Sequence, residues 1–213
     1  MRTVIIEKHI GGFEELSPEL QTEVIEKHRY IWSYFDSDFI IEDFCNNMEE
    51  KGVDVLPKNV YFSGFYSQGD GSCFSGKVVD FIKYISDVVN NYKHLFDLDK
   101  EFKAFLRWCE HVYKECDYDI EINGSDRYFN VRANTDITTE LYSLDHVKRK
   151  SEEQEDKFIK ILDIIIEEKA IDDNAKLYKA LENEYEYSIS DEAIENTIEA
   201  NDLEFNLDTG EVF

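Results

Sequence analysis

The chain is short of positive charge. Lys and Arg number 23 against 48 Asp and Glu, a formal net charge of −25. A surface this negative repels nucleic acid and anionic membranes, so no direct DNA or RNA binding and no membrane association are expected, and basic proteins are easier partners. Long apolar runs are missing: nothing approaches the roughly 18 residues of a membrane-spanning helix, and no signal peptide is expected. Cysteine is sparse as well. Cys45, Cys73, Cys109 and Cys116 contain no C-x-x-C pair and read as reduced thiols of a cytosolic protein. Cys109, His111 and Cys116 lack the fourth ligand of a zinc site and read as helix-core residues, so no metal and no cofactor are expected. No Pro- or Ser-rich linker divides the chain, no internal repeat is visible, and no G-x-x-x-x-G-K-[ST] loop is present, which argues against a Walker-type nucleotidase.

What is present is enough to fold. Hydrophobic residues make up 42% and aromatics 14% of 213 residues, sufficient for a buried core despite the charge. The charge is skewed: residues 1–150 hold 28 acids against 18 bases, and residues 151–213 hold 20 against 5. Residues 1–150 are therefore read as an α+β core, and 151–213 as an acidic helical region packed on the same domain.

Local signals place the elements. Thr3 to Ile10 has the β-branched content of a strand, ended by Gly11-Gly12. Ser17-Pro18-Glu19 supplies a cap, a proline for the first helical position and an acid for the first turn. Leu20, Val24, Ile25, His28 and Ile31 then predict an inward helical face over 18–34. A second helix is expected over 36–51, with Phe39, Ile40, Phe44 and Met48 inward and Gly52 as its stop. Segments 59–66 and 72–76 read as hairpin arms about Asp70-Gly71. Helical spacing returns at 79–92 and 99–114, and a second hairpin is expected across Asn123-Gly124. Beyond Ser151 the pattern predicts a helix carrying Phe158, Leu162, Ile165 and Ile166, another over 174–187, and a third capped by Ser190-Asp191. A short hairpin over Asp208-Thr209-Gly210 closes the chain. Without a βαβα rhythm, the fold class is α+β: a small antiparallel sheet built from hairpins, with several packed amphipathic helices.

One segment has an unusual composition. Residues 59–76 carry four of the nine glycines, five aromatics and a single charge, Asp70. Glycine lets the backbone approach a ligand closely, and the segment reads as a turn or a binding surface. Candidate ligand-binding residues are Ser63, Phe65, Tyr66, Ser67, Gln68, Gly69, Asp70, Gly71 and Ser72, with backbone N–H groups and hydroxyls as donors and Tyr66 or Phe65 as a stacking ring. Phosphates held there would need Lys77, Lys83, Arg127 or Arg132 nearby to offset the negative field. Asp70-Gly71-Ser72-Cys73 also resembles, over four residues, the D-G-x-C motif of ovarian-tumour-type cysteine proteases, but His94, His111 and His146 have no recognisable partner context, and a structural cysteine is the better reading. Asp117, Asp119 and Glu121 share a strand face that reads as a solvated edge rather than a cation site. The acids after residue 151 read as the wet sides of helices, or as a row imitating nucleic-acid phosphates.

Three stretches carry a wider resemblance: Phe13-Glu14-Glu15-Leu16-Ser17-Pro18-Glu19, Tyr61 to Gly71, and Glu184-Tyr185-Glu186-Tyr187 with Ser190-Asp191-Glu192-Ala193-Ile194 and Ala200-Asn201. Together they resemble a family of small phage and prophage proteins of largely unassigned function with an F-S-G-F-x-S-Q-G-D-G core. Tyr66 stands where family members often have tryptophan, which keeps a stacking ring. The resemblance implies context rather than chemistry, a protein that counters defences or redirects the host in the cytoplasm of a bacterial cell, and within that context the reading is action by binding rather than catalysis. Two mechanisms fit that context: a sponge that sequesters a nucleotide immune signal at residues 61–76, or an acidic decoy that occupies the groove of a basic host nuclease or restriction complex. A homo-oligomer is compatible with either. A hydrolase using Cys73 is a distant third.

Overall fold

Ser17 starts the first helix. Its hydroxyl accepts from the Leu20 N–H at 3.3 Å and Pro18 takes the first helical position, giving α1 (Pro18–Trp32) in the computed structural model, which describes residues 8–138 and 145–213. The elements that follow are α2 (Ser37–Glu50), β2 (Val53–Ser63), β3 (Gly71–Val78), α3 (Phe81–Ile85), α4 (Asp99–Glu115), β4 (Asp117–Ser125), β5 (Asn130–Thr138), α5 (Asp145–Ser188), α6 (Asp191–Ala200) and β6 (Phe205–Asn206), with β1 (Ile10–Gly11) ahead of them. The architecture is α+β, with a four-stranded antiparallel sheet in the order β2-β3-β4-β5 and a two-stranded β1-β6 pair.

The chain forms two compact units, one of residues up to Ser37 together with Leu181–Phe213, the other of Asp38–Ala180. In the first, Leu16, Val24, Ile25, Ile194, Ile198 and Phe205 form a buried cluster between α1, α6 and the terminal strands. Ser190 caps α6 by accepting from the Ala193 N–H, and Arg29 ties the two helices by donating to the Ile189 carbonyl and the Asp191 carboxylate. The expected closing turn is present: Asn206 N–H donates to the Glu211 carbonyl and Phe205 bridges to Val212. Of the expected first strand, residues 3–7 lie outside the described residues, and Ile10–Gly11 pairs with Phe205–Asn206.

The second unit carries the sheet. β2 and β3 are longer than the arms read from the sequence, and β2 bulges between Val55 and Val60, where Pro57 offers no donor to a ladder. β4 and β5 pair over their full length from Asp117↔Thr138 to Ser125↔Asn130. Phe102, Phe105, Trp108 and Cys109 of α4 and Phe158, Leu162, Ile165 and Ile166 of α5 are buried, and the Phe96, Phe102, Phe105, Trp108 and Phe158 rings pack edge-on and tilted against one another.

Several expectations are corrected. Ile31 and Phe39 are exposed, and the inward face of α2 is Ile41, Cys45 and Met48. The segment 79–92 is not one helix: α3 is a short helix capped by Asp80, followed by a 3-10 segment over Val89–Leu95, as β-branched Val88-Val89 and Asn90-Asn91 are weak helix formers. Beyond residue 151 there is no break near 170–174. No Gly or Pro interrupts α5, which runs through the expected start at 174, and Asp173 just before that point is paired with Lys51.

Candidate functional site

Residues 64–70 link β2 to β3 as a loop built around one carboxylate. Asp70 Oδ2 accepts from the Tyr66 N–H at 3.0 Å and the Ser67 N–H at 2.6 Å, and Oδ1 accepts from the Ser63 hydroxyl at 3.4 Å. Gly64 and Gly69 have φ of +35° and +101°, which reverses the chain around that carboxylate. The loop is then fastened to α5: Tyr178 OH donates to the Gly64 carbonyl at 3.1 Å, and the Phe65 ring lies 5.7 Å from the Tyr178 ring. At the start of β3, Ser72 is buried and bonded to Asn174. The glycines thus serve an ordered loop.

The candidate residues divide accordingly. Ser63, Asp70 and Ser72 are spent on internal hydrogen bonds, as are the Tyr66 and Ser67 N–H groups. Tyr66 is 69% exposed, Gln68 and Gly69 lie at the tip, and a Cβ on Gly69 would meet nothing within 4 Å. Gly71 is needed for close approach, since a Cβ there would lie 2.7 Å from Phe129 Cβ of the β4–β5 turn. That contact brings the turn beside the loop. Tyr128 is 68% exposed in the turn with the Arg127 guanidinium 5.4 Å from its ring. Arg132 is exposed on β5, opposite Asn123. Lys77 is paired with Asp119 at 2.7 Å, and a 270 Å³ groove beside it is also lined by Asp54 and Glu121. That groove is a poor place for a phosphate. Cys73 is fully buried, and burial pushes its thiol up with the Asp126 charge adding to the effect, the opposite of what a nucleophile requires. Burial likewise pushes the Cys109 thiol up to about 12.

A second constellation lies outside the sequence-predicted residues. Asp173 of α5 is 1% exposed; its Oδ1 takes Lys51 Nζ at 2.9 Å and Lys176 Nζ at 3.8 Å, and its Oδ2 accepts from Tyr84 OH at 3.1 Å. Behind it the buried Lys169 ammonium donates to both oxygens of Asp87 at 2.9 and 3.0 Å and sits over the Tyr84 ring. Burial and the neighbouring Asp173 push the Tyr84 hydroxyl up, so it stays a donor. The signal in the sequence was available: Lys169 and Asp173 continue the Leu162, Ile166 stripe toward Leu177, placing charges on the apolar face of a helix. Beside this cluster a 400 Å³ cleft opens between α2 and α5, lined by Ile40, Asp43, Phe44, Asn47 and Lys51 on one wall and Asp173, Lys176, Leu177 and Ala180 on the other. Among the described residues no helix is long and apolar enough to cross a membrane.

Comparison of the chain with curated proteins and with solved structures gives no match. The sequence pattern of the domain of unknown function DUF8835 matches residues 37–191, which take in the whole sheet, the Asp70 loop and the Asp173 cluster. The chain belongs to the DUF8835 family.

Proposed function

We propose that the protein acts by binding a basic protein of a bacterial host, as a counter-defence factor, and that loop 64–70 with the adjoining 126–129 turn is its recognition surface. The observation that carries this reading is the Asp70 carboxylate. It holds the Tyr66 and Ser67 N–H groups and leaves the Tyr66 ring exposed on an ordered loop whose only charge is Asp70 itself. A tyrosine presented this way makes a large amphipathic contact at little entropic cost, which suits a protein interface. The Tyr66 and Ser67 amides that could cradle a phosphate already donate to Asp70, and Lys77 is engaged by Asp119, so capture of a nucleotide at this loop is less well supported. The charge of −25 supplies long-range attraction to a basic partner.

The test is site-specific photo-crosslinking in defence-positive bacterial cells, with the reactive group at position 66 or 128 and, for comparison, on the acidic face at Glu184. The expected result is one basic host protein captured from positions 66 and 128, in a salt-sensitive manner, and lost in Asp70→Ala while the melting temperature holds. Capture from Glu184 that survives Asp70→Ala would move the interface to the acidic helices. A nucleotide that raised the melting temperature and lost its effect in Tyr66→Ala would replace the protein partner with a small molecule.

A further inference from the structure

The α2–α5 cleft has two chemically different ends. Asp43 and Asn47 of α2 and Lys51 just past its end succeed one another at four-residue spacing, so the backbones of the acid and the lysine lie about 12 Å apart at 1.5 Å per residue. Between them the floor is apolar: Phe44, itself braced edge-on by Phe74 at 5.1 Å, faces Leu177 and Ala180. At the amine end two lysines converge on one carboxylate oxygen. Asp173 needs only one of them, because Lys51 at 2.9 Å and Tyr84 at 3.1 Å already occupy its two oxygens. Lys176 is the one held more weakly by Asp173, at 3.8 Å; it is 64% exposed and its closer partner is the equally exposed Asp172, a surface pair that solvent screens. Its ammonium can turn to an anion in the cleft without stranding Asp173. In a chain of net charge −25, a cleft whose lining holds two lysines, Lys51 and Lys176, against two aspartates, Asp43 and Asp173, is one of the less repulsive places for an anion.

We propose that this cleft binds a nucleoside monophosphate: the base rests on Phe44 and Leu177 and donates its ring or exocyclic N–H to Asp43 or Asn47, while the phosphate takes Lys176 beside Lys51. The volume of 400 Å³ falls in the range of small-ligand sites, roughly 300–1,000 Å³. The site is separate from the Asp70 loop and does not depend on the protein-binding reading.

The experiment is an amide-resolved NMR titration of the full chain with AMP, and with adenosine in parallel. The expected result is saturable shifts confined to residues 40–51 and 173–180, with adenosine about tenfold or more weaker for want of the phosphate contact. Lys176→Gln weakens AMP to the adenosine level, Ala180→Leu fills the cleft and abolishes binding without touching a charge, and Tyr66→Ala leaves it unchanged. Absence of saturable shifts with AMP, equal binding of adenosine, or binding indifferent to Ala180→Leu would overturn the proposal. Loss of AMP binding in Tyr66→Ala would place the nucleotide at the loop instead and overturn it too.

Discussion

Ser72 on β3 and Asn174 on α5 hold each other reciprocally: the Ser72 hydroxyl donates to Asn174 Oδ1 at 2.9 Å, and Asn174 Nδ2 donates to the Ser72 carbonyl at 2.9 Å. The pair lies two residues from Asp70 and four from Tyr178, so one helical turn of α5 positions both ends of the recognition loop.

Asn174→Ala removes the Ser72 hydroxyl's closer acceptor, leaving it the Asn174 backbone carbonyl at 3.2 Å, and takes this donor from the Ser72 carbonyl, at a cost of about 1 kcal/mol. Urea unfolding should show the lowered midpoint. Hydrogen exchange should be faster at residues 64–71 than elsewhere in the sheet. Uniform acceleration across the sheet would mean the pair supports the whole fold rather than the loop.

The Asp87–Lys169 pair gives a pH dependence. Partial burial pushes the Asp87 carboxyl up, but the Lys169 hydrogen bond and charge outweigh it and hold the group below its ordinary value. A depressed carboxylate contributes stability that is present above its unfolded value of about 3.9 and lost as pH falls through the folded value. Asp87→Asn should therefore be less stable than wild type at pH 7, with the gap closing below about pH 4. A gap independent of pH would show that packing rather than charge is lost.

Asp163 behaves in the opposite sense. Its Oδ1 is buried without a hydrogen-bond partner, and burial pushes its carboxyl up more than the nearby Thr135 groups bring it down. A raised carboxyl contributes stability that is full below about pH 3.9 and lost as pH rises through the folded value. Asp163→Asn should accordingly raise the melting temperature at pH 7, on the order of a few degrees, and change little in acid. No gain at neutral pH would indicate that the carboxylate is solvated.

Gly124 faces the carbonyl of Phe74, where an added Cβ would lie 2.5 Å from the oxygen. Gly124→Ala forces β3 and β4 apart, an overpacking cost of about 1–3 kcal/mol, and calorimetry should show it as a lower melting temperature. An unchanged transition would mean that the sheet relaxes at that point.

The helices and hairpins were legible in the sequence because their signals are short-range. Ser17-Pro18 and Ser190 cap the helices they precede, the Phe158, Leu162, Ile165, Ile166 stripe is buried, and Asp70-Gly71 falls at the start of β3; the second hairpin is present, but its turn lies at 126–129, and Asn123 and Gly124 belong to β4, paired with Arg132 and Val131. The neutral Gly-aromatic segment was visible too, since composition alone sets it apart.

Only the tertiary structure decided what those elements do together. Lys51 meets Asp173 across 122 residues and Ser72 meets Asn174 across 102, and no local pattern encodes such distant partners. That is why the separate helix expected over 174–187 is the continuation of α5, with Asp173 a buried acceptor in mid-helix, and why glycines that looked like freedom for a ligand belong to a loop tied down by Asp70. Periodicity reports which face of an element is apolar; which charges are taken out of water, and against which partners, follows from how the faces meet.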